Sequence, residues 1–171
     1  TITQQVVRLS RDNRLRTYFE KVIELILATR LEFRVSKENI LAFWSSNAPF
    51  GGNVVGLDAA SWRYFNRKSI DLSWAESATL AVLPNAPNLI YPGKNQQKLL
   101  AKRNRLLKKL LAKKVIDTLT YKLSVLEEIP NKPYNLPQIT THLLQRIHKA
   151  KKGEIVKTTI DKKLQIQTNT I

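Results

Sequence analysis

Cysteine and methionine are both missing from these 171 residues, and histidine occurs only twice, at His142 and His148. Without cysteine there is no disulfide, no thiolate nucleophile and no Cys-ligated zinc. Both histidines lie beyond a cluster of prolines late in the chain, so the main body has no imidazole for a Ser/His/Asp triad. Glycine is scarce at five residues, and Gly51-Gly52 alone does not make a Walker-type or dinucleotide phosphate loop. No His and carboxylate cluster has the spacing of a metal site, so no metal ligands are expected. No apolar run approaches the ~20 residues of a membrane span, and no signal peptide opens the chain. With no methionine and Thr1 at its start, the sequence reads as part of a longer translation product.

Apolar residues make up 43% of the chain and charged ones 25%, the balance of a folded domain of ordinary size, or one domain and a tail. Twenty-nine Lys and Arg stand against 13 Asp and Glu, a formal charge of +16, which points to an anionic partner. The excess is uneven. Residues 1–93 hold 11 basic and 8 acidic side chains, and residues 94–171 hold 18 and 5.

Most of the chain has helical periodicity. Residues 16–32 are apolar around nearly the whole circumference, with Lys21, Glu24, Ala28 and Glu32 as one narrow stripe; this predicts a buried helix whose stripe is its polar outlet. Ser36 is a candidate N-cap for a helix to about residue 46, ended by Pro49 and Gly51-Gly52. Short helices are expected over residues 54–65 and, opened by a Ser73–Glu76 capping box, up to residue 83. A long basic helix over residues 95–114 and another over residues 117–126 follow. Pro130, Pro133 and Pro137 predict a stiff, extended linker, then a short helix over residues 142–150. Residues 154–160 (EIVKTTI) predict a β-strand.

With triads and metals set aside, catalysis falls to a carboxylate, and Glu24, one turn from Lys21, is the candidate; the same spacing also suits a plain surface Glu–Lys pair. Thr1, Thr3, Gln4 and Gln5 offer hydroxyls and amides that could bind a sugar or equally cap a helix N-terminus. Lys94, Lys98, Lys102, Arg105, Lys109 and Lys113 recur at intervals of three and four, a cationic stripe with no acid between Lys94 and Ile116. Such a stripe could track a phosphate backbone, lie on an anionic bilayer, or be a solvated face. Arg103 falls off the stripe, toward the leucines and the interior.

TITQQ, then Lys21 and Glu24, Ser36-Lys37, Ile40-Leu41, APFGGN (residues 48–53), LSWAESATLAVLPNAP (residues 72–87) and the run over residues 103–110 come in one order. In that order they resemble the family 51 peptidoglycan glycosyltransferases of class A penicillin-binding proteins, over roughly residues 1–115. KTTIDKKLQIQ (residues 157–167) resembles the segment leading into a transpeptidase domain. The resemblance implies a mainly α, partial lysozyme-like glycosyltransferase fold over residues 1–128 and a linker over residues 129–153. Residues 154–171 would then be the first strand and helix toward a transpeptidase domain. It implies polymerisation of lipid II into glycan strands on the outer face of the bacterial cytoplasmic membrane, with lipid II, the growing strand and the anionic membrane as partners. No nucleic acid is expected, and further cell-wall synthesis proteins would be compatible partners. No cofactor is required, though a divalent cation at the pyrophosphate is compatible.

In that family a glutamate in an upstream motif acts as base on the acceptor hydroxyl, and this sequence opens inside the second motif. Glu24 matches the second family glutamate, on the donor side. Thr3, Gln4 and Gln5 match donor-pocket positions, and Arg8 stands where many members have a phosphate-contacting Lys. Lys21 and Arg103 match cations near the leaving group, and Asn53 closes the APFGGN block on the substrate side. Lys21, Glu24 and Arg103 are therefore expected to converge on one cleft with Gln5 nearby. Two departures stand out: Glu20 replaces an Arg, and Trp44-Ser45-Ser46 stands where Tyr-x-Asn is common. The competing readings are a basic helical nucleic-acid-binding protein and a non-catalytic, membrane-docked module.

Overall fold

The structure, a computed structural model, describes residues 1–11, 17–135, 139–151 and 156–168. Nearly all the regular structure there is helical, and five of the helices start at a side chain that accepts from an N–H of the first turn. Thr1 and Gln4 form a capping box that opens α1 (Ile2–Ser10). Thr17 caps α2 (Tyr18–Arg34) and Ser36 caps α3 (Lys37–Asn47). The next helix, α4 (Leu57–Phe65), starts later than the sequence predicts, because Val54 is taken into a turn by Phe50, whose N–H donates to its carbonyl at 2.8 Å. Asn66 ends α4 in the left-handed region, at φ 55°.

The Ser73–Glu76 box opens α5 (Trp74–Val82), which runs on into a 3-10 turn over Leu83–Asn85. The basic helix is α6 (Gln96–Ala112), and Asp117 caps α7 (Thr118–Leu126) by accepting from the Thr120 N–H at 2.6 Å. These elements belong to a compact unit spanning Thr1–Tyr134. Residues 129–134 are fastened to that unit: Gln96 Nε2 donates to the Pro130 carbonyl at 2.8 Å, and the Tyr134 N–H to the Arg63 carbonyl at 2.7 Å. A second unit begins at Asn135 and holds α8 (Thr141–Ala150) and α9 (Lys162–Thr168).

Two clusters form the core of the first unit. One gathers Phe50, Ala60, Tyr64, Leu80, Leu83 and Leu99, joining α4, α5 and α6 to the APFGGN block; the other sets Ala78 against Leu107 and Ile116. The APFGGN block is a tight reversal. Gly51 sits at φ 91°, and a Cβ there would stand 2.7 Å from the Pro87 carbonyl, so only glycine lets this loop close on the LPNAP segment. The Tyr64 hydroxyl, buried beneath, donates to the carbonyls of Phe50 at 3.1 Å and Gly51 at 2.9 Å. Burial pushes its pKa up to about 12, so it remains a donor.

Two expectations are overturned. Helix α2 is not buried around its circumference with a polar outlet: Glu24 and Ala28 are its buried residues, whereas Val22, Leu25 and Ile26 are exposed. Its one substantial neighbour among the described residues is α1, and α1 takes the polar stripe. An apolar face with no packing partner faces solvent whatever its hydropathy. Nor do residues 156–160 form a strand; residues 154–155 lie outside the described residues. A strand gains its hydrogen bonds from a neighbour, and among the described residues there are only isolated two-residue bridges, Pro49 with Val55 and Tyr91 with Lys94.

Candidate functional site

Helices α1 and α2 run antiparallel and meet along a polar seam. On α2, Glu20, Glu24, Ala28 and Glu32 recur every four residues and so share one face. That face meets Arg11, Arg8 and Thr3 of α1 in reverse order. Arg11 Nη2 donates to Glu20 Oε2 at 2.8 Å. Arg8 donates from Nε and Nη2 to the two Glu24 oxygens, at 2.9 Å each, and the Thr3 hydroxyl donates to Glu32 Oε1 at 2.5 Å. Ala28, 4% exposed, is the small residue that lets the helices close.

The middle rung is the chemically pointed one. Glu24 is 9% exposed, and its partner offers the planar fork that fits a carboxylate. The bond to Glu24 and its negative charge raise the Arg8 pKa against the opposing effect of burial, so the guanidinium is permanently charged. With Nε and Nη2 on Glu24, the Nη1 edge of a half-buried guanidinium is left for an anion. A carboxylate with both oxygens already accepting is poorly placed to take a proton from a hydroxyl. The arrangement is suited to aiming a fixed positive charge.

Gln5 lies between Thr3 and Arg8 in sequence but is engaged from α3, where Trp44 Nε1 donates to its Oε1 at 2.8 Å. Trp44 in turn meets Phe50 edge-on, with ring centroids 6.4 Å apart, linking Gln5 to the APFGGN block. With its oxygen engaged, the Gln5 amide presents its NH2 as donor. Both departures from the family pattern thus acquire partners: Glu20 is matched by Arg11, and Trp44 orients Gln5. Nothing in the spacing of Trp44 and Gln5, 39 positions apart, marks them as neighbours.

The other candidates sit elsewhere. Gln4 serves the capping box, its Oε1 accepting from the Thr1 backbone nitrogen at 2.8 Å. Lys21 is exposed, its Nζ 5.0 Å from the Tyr18 ring centre. Asn53 is exposed in the reversal, at φ 63°. Arg103 is fully buried, and its guanidinium donates to the carbonyls of Glu127 at 2.5 Å and Val125 at 3.0 Å and to Asn104 Oδ1 at 3.0 Å. It closes the C-terminal turn of α7; desolvation lowers its pKa, and it remains a cation. The structure therefore brings Thr3, Arg8 and Glu24 into one seam, sets Gln5 on its flank, and gives Arg103 its hydrogen-bond partners on α6 and at the end of α7.

An apolar cleft of about 370 Å³ opens between α1 and α3, lined by Val6, Leu9, Ser10, Phe43 and Asn47, and none of the predicted residues lines it. Among the described residues no three His, Cys, Asp or Glu gather in a group that could hold a metal ion.

The transglycosylase family model matches residues 1–111. Penicillin-binding protein 1C of Escherichia coli is 35% identical over 165 residues, covering 96% of this chain and 21% of that protein. Penicillin-binding protein 1A of Clostridium tetani is 43% identical over 101 residues, 57% of this chain and 12% of that one. In the crystal structure of penicillin-binding protein 1A from Haemophilus influenzae the same fold recurs, at a TM-score of 0.50 and 22% identity over 71% of this chain and 19% of that chain. The chain spans about a fifth, or less, of the length of these relatives.

Proposed function

The chain belongs to the transglycosylase family, and from that premise we propose that residues 1–128 are the C-terminal part of a peptidoglycan glycosyltransferase domain in a bifunctional penicillin-binding protein. Residues 129–153 then link it to the segment, from residue 154, that leads into a transpeptidase domain. The substrate is lipid II and the product a glycan strand, made on the outer face of the bacterial cytoplasmic membrane. Among the described residues no helix is long and apolar enough to cross a membrane.

The observation that carries the reading, beyond the family match, is the guanidinium of Arg8 held by both Glu24 oxygens. When the acceptor hydroxyl attacks the anomeric carbon of the donor, the lipid pyrophosphate departs and gathers negative charge. A cation already fixed in place stabilises that charge without reorganising. Arg8 supplies it, Glu24 holds Arg8, and Lys21 adds an exposed second cation. Gln5 offers its NH2 to a sugar hydroxyl or acetamido oxygen. Arg103, whose donors end on α6 and the end of α7, supports the scaffold. Nucleic-acid binding is the weaker reading, since the phosphates of the lipid and the membrane account for the positive charge.

The test is polymerisation of labelled lipid II. The full-length protein that carries this chain should make glycan strands. The chain by itself should make none, because Glu24 is engaged by Arg8 and a positioned base is worth roughly 100- to 10,000-fold. Polymer from the chain alone would give the base role to Glu24 or another carboxylate here.

A further inference from the structure

Away from the seam, a cleft of about 310 Å³ lies between the end of α5 and the middle of α6. Its α6 side carries Lys102, Arg105 and Lys109 with Leu106 between them; its α5 side carries Val82 and, from the following turn, Asn85. Positions 102, 105, 106 and 109 are spaced three, four and seven apart and so share one helix face. No described residue forms an ion pair or hydrogen bond with any of the three cationic side chains. Like charges at this spacing repel, and an anion between them relieves the repulsion. The C-terminal end of α5 contributes about half a negative charge, too little to balance three cations.

We propose that this cleft seats the phosphate headgroup of an anionic phospholipid. Lys102, Arg105 and Lys109 take the phosphate oxygens, Asn85 donates from its amide, and Val82 and Leu106 meet the glycerol and the first acyl carbons. A bilayer lipid is the source because Ala81, Val82 and Leu106, three of the seven lining residues, are apolar, and because Lys98 and Lys113 extend the same charged face beyond both ends of the cleft. An isolated ion would need neither. The site rests on the membrane-apposed reading above for the origin of its phosphate.

The experiment compares partition of the chain onto phosphatidylcholine vesicles with and without phosphatidylglycerol, at fixed salt. The ratio cancels whatever the exposed apolar face of α2 adds. Lys102→Gln with Lys109→Gln should lower that ratio about 25-fold, at about fivefold for each cation seated at the surface. Lys98→Gln with Lys113→Gln removes the same charge from the same helix outside the cleft, and should lower it by less than about fivefold. Equal losses in the two pairs, with unchanged circular dichroism, would overturn the cleft and leave diffuse attraction. No preference of the unaltered chain for phosphatidylglycerol would overturn the membrane reading itself, and the cleft with it. Soluble glycerol phosphate binding as tightly as the vesicles, or duplex DNA retaining the chain better at matched salt, would assign the cations to another ligand.

Discussion

Arg103 lies buried between α6 and α7 and donates to three protein oxygens, two of them carbonyls at the C-terminal end of α7. Those carbonyls are among the ones a helix leaves unpaired at its end, so removing the guanidinium leaves them partly buried without a partner. The nearby Glu127 carboxylate accepts from the Ser73 hydroxyl at 2.8 Å, and Ser73 opens α5, so one side chain helps to register three helices. Arg103→Ala should cost about 3 kcal/mol in urea unfolding, through unpaired carbonyls and the space left behind. Arg103→Lys should recover only part, since an ammonium cannot fork between two carbonyls. The inward direction of Arg103 was legible in the sequence, as a cation lying off the basic stripe. Its partners, 22 and 24 positions away, were not, because no local pattern relates a residue in the middle of one helix to the end of the next.

Among the elements, the helices with the clearest sequence marks are those whose chemistry is self-contained. The Ser36 cap, the Ser73–Glu76 box and the Gly51-Gly52 stop each work within a few residues, and each stands where the sequence places it. Helix α2 failed as a reading for the complementary reason: which face is buried depends on what lies alongside. Tyr18, Phe19, Val22, Leu25 and Ile26 together leave an exposed apolar face, with Phe19 74% and Ile26 61% exposed. The chain should accordingly bind the dye ANS in its folded state. Replacing Phe19, Val22 and Ile26 by Gln should abolish most of that fluorescence while leaving helical circular dichroism in place. Unfolding of this variant would instead mean that the face is packed in solution.

At the scale of the whole molecule, the charge asymmetry seen in the sequence becomes a division of labour. The nearly neutral part of the first unit holds paired charges, Arg8 with Glu24, Arg11 with Glu20 and Arg67 with Glu76, whereas the cations of α6 make no ion pair with a carboxylate among the described residues. The family motifs were legible as motifs. What the structure adds is their connection: Gly51 sets the APFGGN loop against LPNAP, Trp44 ties that loop to Gln5, and Glu24 grips Arg8. The measurement that most directly tests this account is lipid II polymerisation by the full-length protein with Glu24→Gln, Arg8→Met and the two together. If Glu24 acts by holding Arg8 for the departing pyrophosphate, each single change lowers kcat by roughly 100-fold with little change in KM, and the double variant loses no more than Arg8→Met alone. Losses that multiply in the double variant, or full activity in Glu24→Gln, would contradict it.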